Sequence, residues 1–270
     1  MSASLRLALL LAALLCASGT VARLVFALWF NPSGPGLPSA DWGRALLLGL
    51  RFDARVALVS VALAWLLGAL PWLGRRLRPP AWPRLWRGYW MLASSIWALG
   101  FIFDAGHYAY LTQRLSSVLF TLARDAREAA GMVWQSYPVL WIAAGLALWS
   151  LLWFWGFGWA WRWAIRPGAA RSPLRARLTE AAVLLVAVGV VHGKVSQYPL
   201  RWSDAAALPS AFAQAVALNP LHNLVDTWSF RDTGIDELRL RPAANRMRAF
   251  VGLPPLQGNE PISLLREVAP

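Results

Sequence analysis

The sequence predicts an all-α polytopic membrane protein with five transmembrane helices, interfacial helices and a short periplasmic helical tail. Hydrophobic residues make up 58 % of the 270 positions, charged residues 14 %, and Trp occurs 18 times, which departs from the composition of soluble domains. The apolar residues form five stretches, each about long enough to cross a hydrocarbon core of roughly 30 Å as a helix. These stretches are 7–30, 56–73, 88–111, 139–161 and 178–193.

The arginines between the stretches predict the orientation of the chain. The gaps 74–87 and 162–177 contain arginine without any acidic residue, whereas the gaps 31–55 and 112–138 mix Asp or Glu with arginine. Because positively charged loops stay on the cytoplasmic side, the first two gaps are predicted to be cytoplasmic and the other two periplasmic. We therefore expect a bacterial inner-membrane protein with a cytoplasmic N-terminus and with everything after Lys194 in the periplasm.

The first apolar stretch has an alternative interpretation. Arg6, the apolar run and the sequence CASGTVA resemble the three regions of a cleaved signal peptide. The stretch continues through Leu24 to Phe30, which favours an uncleaved anchor. Cys16, inside this stretch, is the only cysteine, so no intrachain disulfide is predicted.

One further helix is predicted between the third and fourth stretches. Over residues 113–131, Leu115, Leu119 and Leu122 fall on one side at helical spacing, and charged residues lie elsewhere. This pattern is typical of an amphipathic helix that lies on a membrane surface.

The part of the chain after the fifth stretch is predicted to be helical as well. Asn219 and Pro220 are residue types favoured at an N-cap and at the first helical position, so a helix should begin near Leu221. Another is predicted over 242–251, ended by Gly252. We assign 1–196 to a transmembrane domain, 197–252 to a juxtamembrane segment, and 253–270 to a linker toward a catalytic domain outside this chain.

Ionisable residues at the periplasmic ends of the stretches form a candidate lipid headgroup site. Helical rise places them at a similar depth, where paired arginines can bind a phosphate while Asp104 and His107 contact glycerol hydroxyls. The alternative is that they snorkel or lock the bundle through ion pairs. Asp104 is expected to pair with Arg23, Arg51 or Arg55, because an unpaired carboxylate near hydrocarbon is costly. The predicted site comprises Arg51, Asp53, Arg55, Asp104, His107, Tyr108, Arg114 and Arg201.

The residues that follow the fifth stretch form a second candidate set, for docking at the membrane boundary. Tyr and Trp rings prefer the interface and Pro prevents further helix, so the segment is predicted to be a rigid anchor, with direct lipid contact as the alternative. His222 and Asp226 should face the same way on one helix. The docking set is Tyr198, Trp202, Asp204, Asn219, His222 and Asp226.

Five segments of the chain carry a family resemblance. They read GLRFDARVAL (49–58), GHYAYLTQRLSSVL (106–119), WQSYP (134–138), QYPLRWSDA (197–205) and ALNPLHNLVDT (217–227). In this order they resemble the membrane half of the lipoteichoic acid synthase-like proteins of Gram-negative bacteria, which belong to the sulfatase and alkaline phosphatase superfamily of phosphoglycerol and phosphoethanolamine transferases. The resemblance covers nearly the whole chain, and QYPLRWSDA with ALNPLHN is its most specific part.

The resemblance implies a periplasmic α/β domain with a divalent metal, expected to be manganese, and a threonine nucleophile that takes glycerol phosphate from phosphatidylglycerol. The sequence contains no such domain and no histidine and carboxylate cluster at metal spacing, so we assign no catalytic residue, metal site or cofactor to it. We expect it to present an anionic phospholipid to a sulfatase-like catalytic domain on the same or a separate polypeptide. The acceptor, a periplasmic glucan or another lipid, is left open.

Three other classes fit the sequence less well. The net charge of +13 is divided among short loops, which disfavours nucleic-acid binding. A haem would require axial ligands such as His107 and His192, which lie at helix ends without a pocket of small residues. A stand-alone transporter is disfavoured by the lack of charges near the membrane midplane, although a transporter or a scaffold for a separate enzyme remains the alternative.

Overall fold

In the computed structural model, the residues described are 3–31, 39–69, 82–117, 119, 131, 134–135, 137–164, 166, 173–230, 237–256, 260 and 262. Helix accounts for 82 % of this part of the chain, and no strand occurs in it. The all-α fold class is therefore confirmed for these residues.

Five long helices overlap the five apolar stretches. They are α1 (Ala3–Trp29), α2 (Ser39–Ala69), α3 (Trp82–Leu111), α4 (Val139–Ala164) and α5 (Pro173–His192). The largest difference from the prediction is in α2, which begins at Ser39 instead of residue 56. Asp41 lies in its first turn, where a carboxylate interacts favourably with the helix dipole. Arg51 and Arg55 are consequently one turn apart inside a helix.

Two of these helices are long and apolar enough to cross a membrane, namely Leu5–Trp29 and Val139–Ala164, with mean hydropathies of 2.1 and 1.7. By itself this is weak evidence for membrane association, since a signal sequence near an N-terminus or a core helix meets the same test. The five-span topology stays a prediction.

Shorter helices follow α5. They are a 3₁₀ turn at Trp202–Ala207, α6 (Ala211–Ala217), α7 (Pro220–Asp226), a second 3₁₀ turn at Trp228–Phe230, and α8 (Glu237–Phe250). The predicted start of α7 is confirmed, because the Asn219 side chain accepts hydrogen bonds from the backbone N–H groups of Leu221 and His222. Helix α8 begins five residues before the predicted Pro242, which lies inside it, and it ends before Gly252 at φ +75°.

The amphipathic helix predicted over 113–131 is wrong at its start. Residues 112–117 are not helical, and Thr112 adopts a left-handed backbone conformation with φ +55°. The backbone N–H of Leu115 is held by Asp104 at 2.8 Å and its carbonyl by Asn223 at 2.8 Å. These tertiary hydrogen bonds replace the helical ones. Most of the remaining prediction, 118 and 120–130, lies outside the described residues.

Packing divides the chain into two compact units, Met1–Ser229 and Phe230–Pro270. In the first unit, α1 packs along α2, α4 packs on α3 and α1, and α5 packs on α2. Its short helices α6 and α7 lie against the ends of the long ones, where Phe26, Ala45 and Val216 share a buried cluster. In the second unit, residues 253–256 fold back on α8, with Asn245 accepting a hydrogen bond from the Leu256 N–H.

Candidate functional site

A buried polar network joins the long helices to the short ones. We define it as Arg23, Asp53, Asp104, Arg114 and Asn219. The Nη2 atom of Arg23 on α1 lies 2.6 Å from Oδ1 of Asp53 on α2, and their side chains are 1 % and 0 % exposed. Asn219 donates to the same carboxylate oxygen at 2.8 Å. Two charges and an amide therefore compensate one another away from solvent.

Arg23 also contacts the carboxyl end of α6. Its Nη1 donates to the carbonyls of Val216, Ala217 and Leu218. The last carbonyls of a helix lack partners within it, and a cation there interacts favourably with the helix dipole. Arg23 thus fixes α6 on α1. The backbone of Gly49 completes the arrangement by accepting from Nη2 at 3.1 Å.

Asp104 and Arg114 form the second buried ion pair, with 2.9 Å between Oδ2 and Nη1. Arg114 also donates to the Leu218 carbonyl at 2.8 Å and lies over the ring of Phe26, 4.1 Å from its centroid. Burial lowers the pKa of Arg114 to about 10, against the opposing effect of Asp104, which still leaves the guanidinium charged at neutral pH. The chain turn at Thr112 brings this arginine back to α3.

The predicted pairing of Asp104 is therefore confirmed, but the partners named for it were wrong. Arg23 is engaged with Asp53, and Arg51 is exposed on α2. The partner is Arg114, only ten positions further along the chain. A continuous helix over 113–131 would have placed Arg114 away from Asp104.

Helix α7 is tied to the segment after α3 by two further contacts. Asn223 donates to the Leu115 carbonyl at 2.8 Å, and the Ser117 N–H donates to the Thr227 hydroxyl at 3.0 Å. The side chains of Asn223 and Thr227 were not singled out from the sequence. The only indication there was that short polar residues occur within and directly after the helix predicted to begin near Leu221.

Three arginines form a different environment, which we call the arginine surface: Arg51, Arg55 and Arg201. Arg51 and Arg201 are exposed, while Arg55 is half-buried and donates to the carbonyl of Leu200. The Arg201 guanidinium lies 5.2 Å from the centroid of the Tyr198 ring. Within the described part of the chain, none of the three forms an ion pair with a carboxylate.

Several of the docking residues after α5 contact one another or their neighbours, while their docking role stays a prediction. Lys194 pairs with Asp204 at 2.6 Å, and the other oxygen of Asp204 accepts from the backbone N–H of Arg201 at 2.7 Å. Partial burial alone would raise the pKa of Asp204, but the two hydrogen bonds and the positive charges of Lys194 and Arg201 together outweigh it, and the pKa is lowered. Asp226 accepts from the Trp202 N–H at 2.9 Å.

His222 is buried, with 6 % of the residue exposed. Its ring packs 4.7 Å from that of Phe52, and its Nδ1 is 3.6 Å from Asp226 Oδ2, so the two residues face the same way as predicted. Burial lowers the pKa of His222; Asp226 opposes this shift, and Arg55 adds to it.

His107 and Tyr108 belong to neither group. Nδ1 of His107 is 2.8 Å from the Gln113 carbonyl oxygen, and the ring lines a cavity between α3 and α4. Tyr108 packs its ring edge against Phe26 and Phe30, at centroid distances of 4.8 and 5.0 Å. The eight residues predicted as one headgroup layer are thus distributed over the buried network, the arginine surface, the cavity and, for Tyr108, the aromatic contacts with Phe26 and Phe30.

No family model, curated protein or solved structure matches the chain. In the residues for which the structure gives positions, no group of three or more His, Cys, Asp or Glu side chains is arranged to hold a metal ion.

Proposed function

We propose that the chain is the membrane module of a lipid-dependent phosphoglycerol-type transferase. Five helices would cross a bacterial inner membrane, and the arginine surface would bind the phosphate of an anionic phospholipid such as phosphatidylglycerol. The segment after α5 would present this lipid to a periplasmic, sulfatase-like catalytic domain on the same or a separate polypeptide. That domain, expected to carry a divalent metal such as manganese, would perform the transfer.

The observation that carries this proposal is the way the resembling segments meet. The segment 49–58 supplies Asp53 and Arg55, and these bind Asn219 of the segment 217–227 and the carbonyl of Leu200 in 197–205. Arg114 of the segment 106–119 adds the contact to Leu218. Sequence blocks spread over the chain are therefore the parts that hold the juxtamembrane segment on the helix ends. A module that presents a lipid to another domain requires such a fixed platform.

Exposed apolar surface supports the membrane location. In the most apolar window of α4, only 6 % of the residues are buried, unlike those of a soluble core helix. Leu140 and Trp141 are 74 % and 80 % exposed, and Leu185 on α5 is 74 % exposed. Apolar side chains exposed on this scale need a lipid or protein environment, and a bilayer provides it along whole helices.

The arginine surface is the best place in the described residues for a phosphate. Arg23 and Arg114 are already neutralised by Asp53 and Asp104, so an added anion would have to break a buried pair. Arg51 and Arg55 share one face of α2, one turn apart, and guanidinium groups bind phosphate oxygens through charge-assisted hydrogen bonds.

The test replaces Arg51 and Arg55 together by Gln and measures lipid retention by native mass spectrometry of the purified chain. We expect the double variant to lose phosphatidylglycerol at least tenfold relative to wild type, while phosphatidylcholine retention is unchanged. The matched control is the double variant Arg175→Gln/Arg177→Gln, which removes the same charge from the opposite end of the bundle.

The control should retain phosphatidylglycerol as wild type does, and binding to wild type should weaken at high salt because the site is partly open to water. Equal retention of both lipids by wild type and by the Arg51/Arg55 variant would make these arginines structural and end the proposal.

A further inference from the structure

Two arginines meet at the end of the first unit where α3 begins and α4 ends. Arg87 on α3 lies across α4, with its guanidinium carbon 4.3 Å from the centroid of the Phe154 ring. Side chains on a helix lean towards its N-terminus, so Arg162 reaches back over Gly158, one turn earlier. A Cβ atom at Gly158 would lie 3.4 Å from Nη2 of Arg87 and 3.9 Å from Nη1 of Arg162. The two guanidinium groups therefore converge on one point over the α4 backbone.

Neither guanidinium group is paired within the described part of the chain. Arg162 is exposed and Arg87 is half-buried, and no hydrogen bond or ion pair links either group to a protein oxygen there. The Nε atom of Arg87 is buried without a partner, whereas its Nη atoms remain accessible. The tips of both side chains can therefore be reached by a ligand.

The segments that carry these arginines do not supply a counter-charge. No Asp or Glu occurs in 1–40, 54–103 or 129–179, and these ranges include the undescribed residues between α2 and α3 and between α4 and α5. Like charges at such a short separation repel each other. One anion between the two groups would bind both and remove the repulsion, which makes the pair a candidate anion site.

The surface beside this pair is apolar and aromatic. Trp155, Trp159 and Trp163 are exposed and lie four residues apart, so they form a stripe along α4 next to the face that carries Arg162. Leu85 on α3 is exposed as well. Tryptophan concentrates where lipid headgroups meet hydrocarbon. A lipid uses both features, because its charged group matches the arginines and its acyl chains match the apolar stripe.

We infer that Arg87 and Arg162 bind the terminal phosphate of a lipid phosphate monoester. Such a group carries a charge of about −1.5 to −2 near pH 7 and has three acceptor oxygens, so it balances two guanidinium groups and can bond to both. The phosphodiester of phosphatidylglycerol has a single charge and balances only one of them.

This site is separate from the arginine surface. Helical rise places Arg87 about 25 Å from Asp104 along α3, so the pair lies at the opposite end of the helix from the buried network. The arginine surface remains the better place for the phosphodiester that the proposed function requires, because it adjoins the segment after α5. The inference shares with the proposed function only the membrane location.

The test compares phosphatidic acid with phosphatidylglycerol of identical acyl chains, by native mass spectrometry of the purified full chain near pH 8. We expect wild type to retain phosphatidic acid at least about threefold more strongly, since an additional charge-assisted contact is at stake. Arg87→Gln/Arg162→Gln should bring this ratio to about one. Arg175→Gln/Arg177→Gln removes the same charge at the start of α5 and should leave the ratio unchanged.

A second pair of variants keeps both arginines. Gly158→Leu fills the point on which the guanidinium groups converge and should lower the ratio as the charge removal does. Gly156→Leu is the matched control on α4, because a Cβ atom there meets nothing within 4 Å, and it should retain the ratio.

The pH dependence on wild type requires no variant. The second ionisation of a phosphate monoester has a pKa of about 6, so the excess of phosphatidic acid should shrink from about pH 8 to about pH 5, while phosphatidylglycerol retention stays constant. The histidines of the chain, His107, His192 and His222, lie at or beyond the other ends of the long helices, so the charge of the arginine pair should not change.

Four results would overturn the inference: equal retention of the two lipids by wild type, an excess that does not depend on pH, an excess that survives Arg87→Gln/Arg162→Gln, or displacement of phosphatidic acid by inorganic phosphate at equal concentration. The last would make the ligand a soluble phosphate. Arg51→Gln/Arg55→Gln should not lower the ratio. Loss of phosphatidylglycerol in that variant with a persistent excess of phosphatidic acid would distinguish the two sites, and failure at either would leave the other measurable.

Discussion

Arg23 and Asp53 lie 30 positions apart on adjacent helices and form a 2.6 Å ion pair from which solvent is excluded. Asn219 and the carbonyl end of α6 complete the hydrogen bonds of both groups. Taking two charges out of water costs several kcal/mol, and the pair is tolerated because nearly every polar atom finds a partner. Removing one member leaves the other buried and unmatched.

We therefore expect Arg23→Met to lower the free energy of unfolding by about 3–5 kcal/mol. The double variant Arg23→Met/Asp53→Leu should lose clearly less than the sum of the two single variants, because it leaves no unpaired charge. Denaturant titration of the detergent-solubilised protein measures these values. As a control, Arg44→Met disrupts only the exposed pair with Asp41, at 4.0 Å, and should cost less than about 1 kcal/mol. Strict additivity of the two buried substitutions would contradict this account.

Breaking the buried pair of Asp104 and Arg114 should also be destabilising, and we expect this as a lower yield of folded protein. Asp104→Leu leaves a buried arginine without its carboxylate and removes the acceptor for the Leu115 N–H, so the amount of monodisperse protein in size-exclusion chromatography should fall. Arg114→Leu combined with Asp104→Leu should recover part of the loss. A double variant that behaves worse than Asp104→Leu would mean that the pair does not act as a unit.

Asn219 combines two roles that a single substitution can separate. Its Oδ1 caps α7 while its Nδ2 donates to Asp53. Asp is as good an N-cap as Asn, yet Asn219→Asp would replace the donor by a carboxylate facing Asp53. We expect Asn219→Asp to lower the midpoint of thermal unfolding at least as much as Asn219→Ala.

The matched control for Asn219 is Ser210, the N-cap of α6, whose hydroxyl accepts from the Ala213 N–H at 3.1 Å. Ser210→Asp keeps a capping oxygen and should be tolerated better than Ser210→Ala. If Asn219→Asp were also better tolerated than Asn219→Ala, the hydrogen bond to Asp53 would contribute nothing.

His222 predicts a dependence of stability on pH. Because burial lowers its pKa in the folded state, the unfolded chain binds more protons below its ordinary value of about 6.5. The folded state should therefore lose stability as the pH falls from that value through the lower folded pKa. Asp226 and Asp204 reduce the effect and Arg55 increases it. Thermal unfolding between about pH 8 and pH 5 should show a slope in this window.

The slope should be flatter in His222→Phe, which can still pack on Phe52, than in wild type. His192→Gln removes a histidine that lies outside this packing and serves as the control. An identical slope in wild type and His222→Phe would assign the pH dependence to other groups.

The topology prediction follows from the arginine asymmetry. Reporter fusions at Arg78 and Arg171 should report the cytoplasm, and fusions at Gly36, Gln135 and Gly258 should report the periplasm. A cytoplasmic signal at Gly258 would overturn the five-span arrangement.

Features set by neighbouring residues were predictable from the sequence. The long helices follow from apolar stretches, and the start of α7 follows from Asn219 and Pro220, because capping depends on residues a few positions apart. The start of α2 was missed because the apolar criterion ignores the polar first half of that helix, which begins at Ser39.

Features set by tertiary contact were not predictable in the same way. The non-helical path of 112–117 depends on Asp104 and Asn223, which bind the Leu115 backbone from elsewhere in the fold. The helical spacing of the apolar residues in 113–131 had instead indicated a continuous helix. Arg114 could be identified as the partner of Asp104 only once the non-helical course of residues 112–117 was known. A common depth likewise does not reveal which side of a helix bundle a residue faces.

The partners of Arg23 are synthesised at different times. Asp53 is synthesised soon after it, but the α6 carbonyl that it binds at Ala217 follows 194 positions later, after all five long helices. Until then Arg23 has Asp53 as its counter-charge and the Gly49 carbonyl as an acceptor for Nη2, but the carbonyls that accept from its Nη1 are not yet present. A segment made after all five long helices therefore completes the hydrogen bonds of the first one, so a chain truncated before α6 should be degraded faster in cells than the full chain.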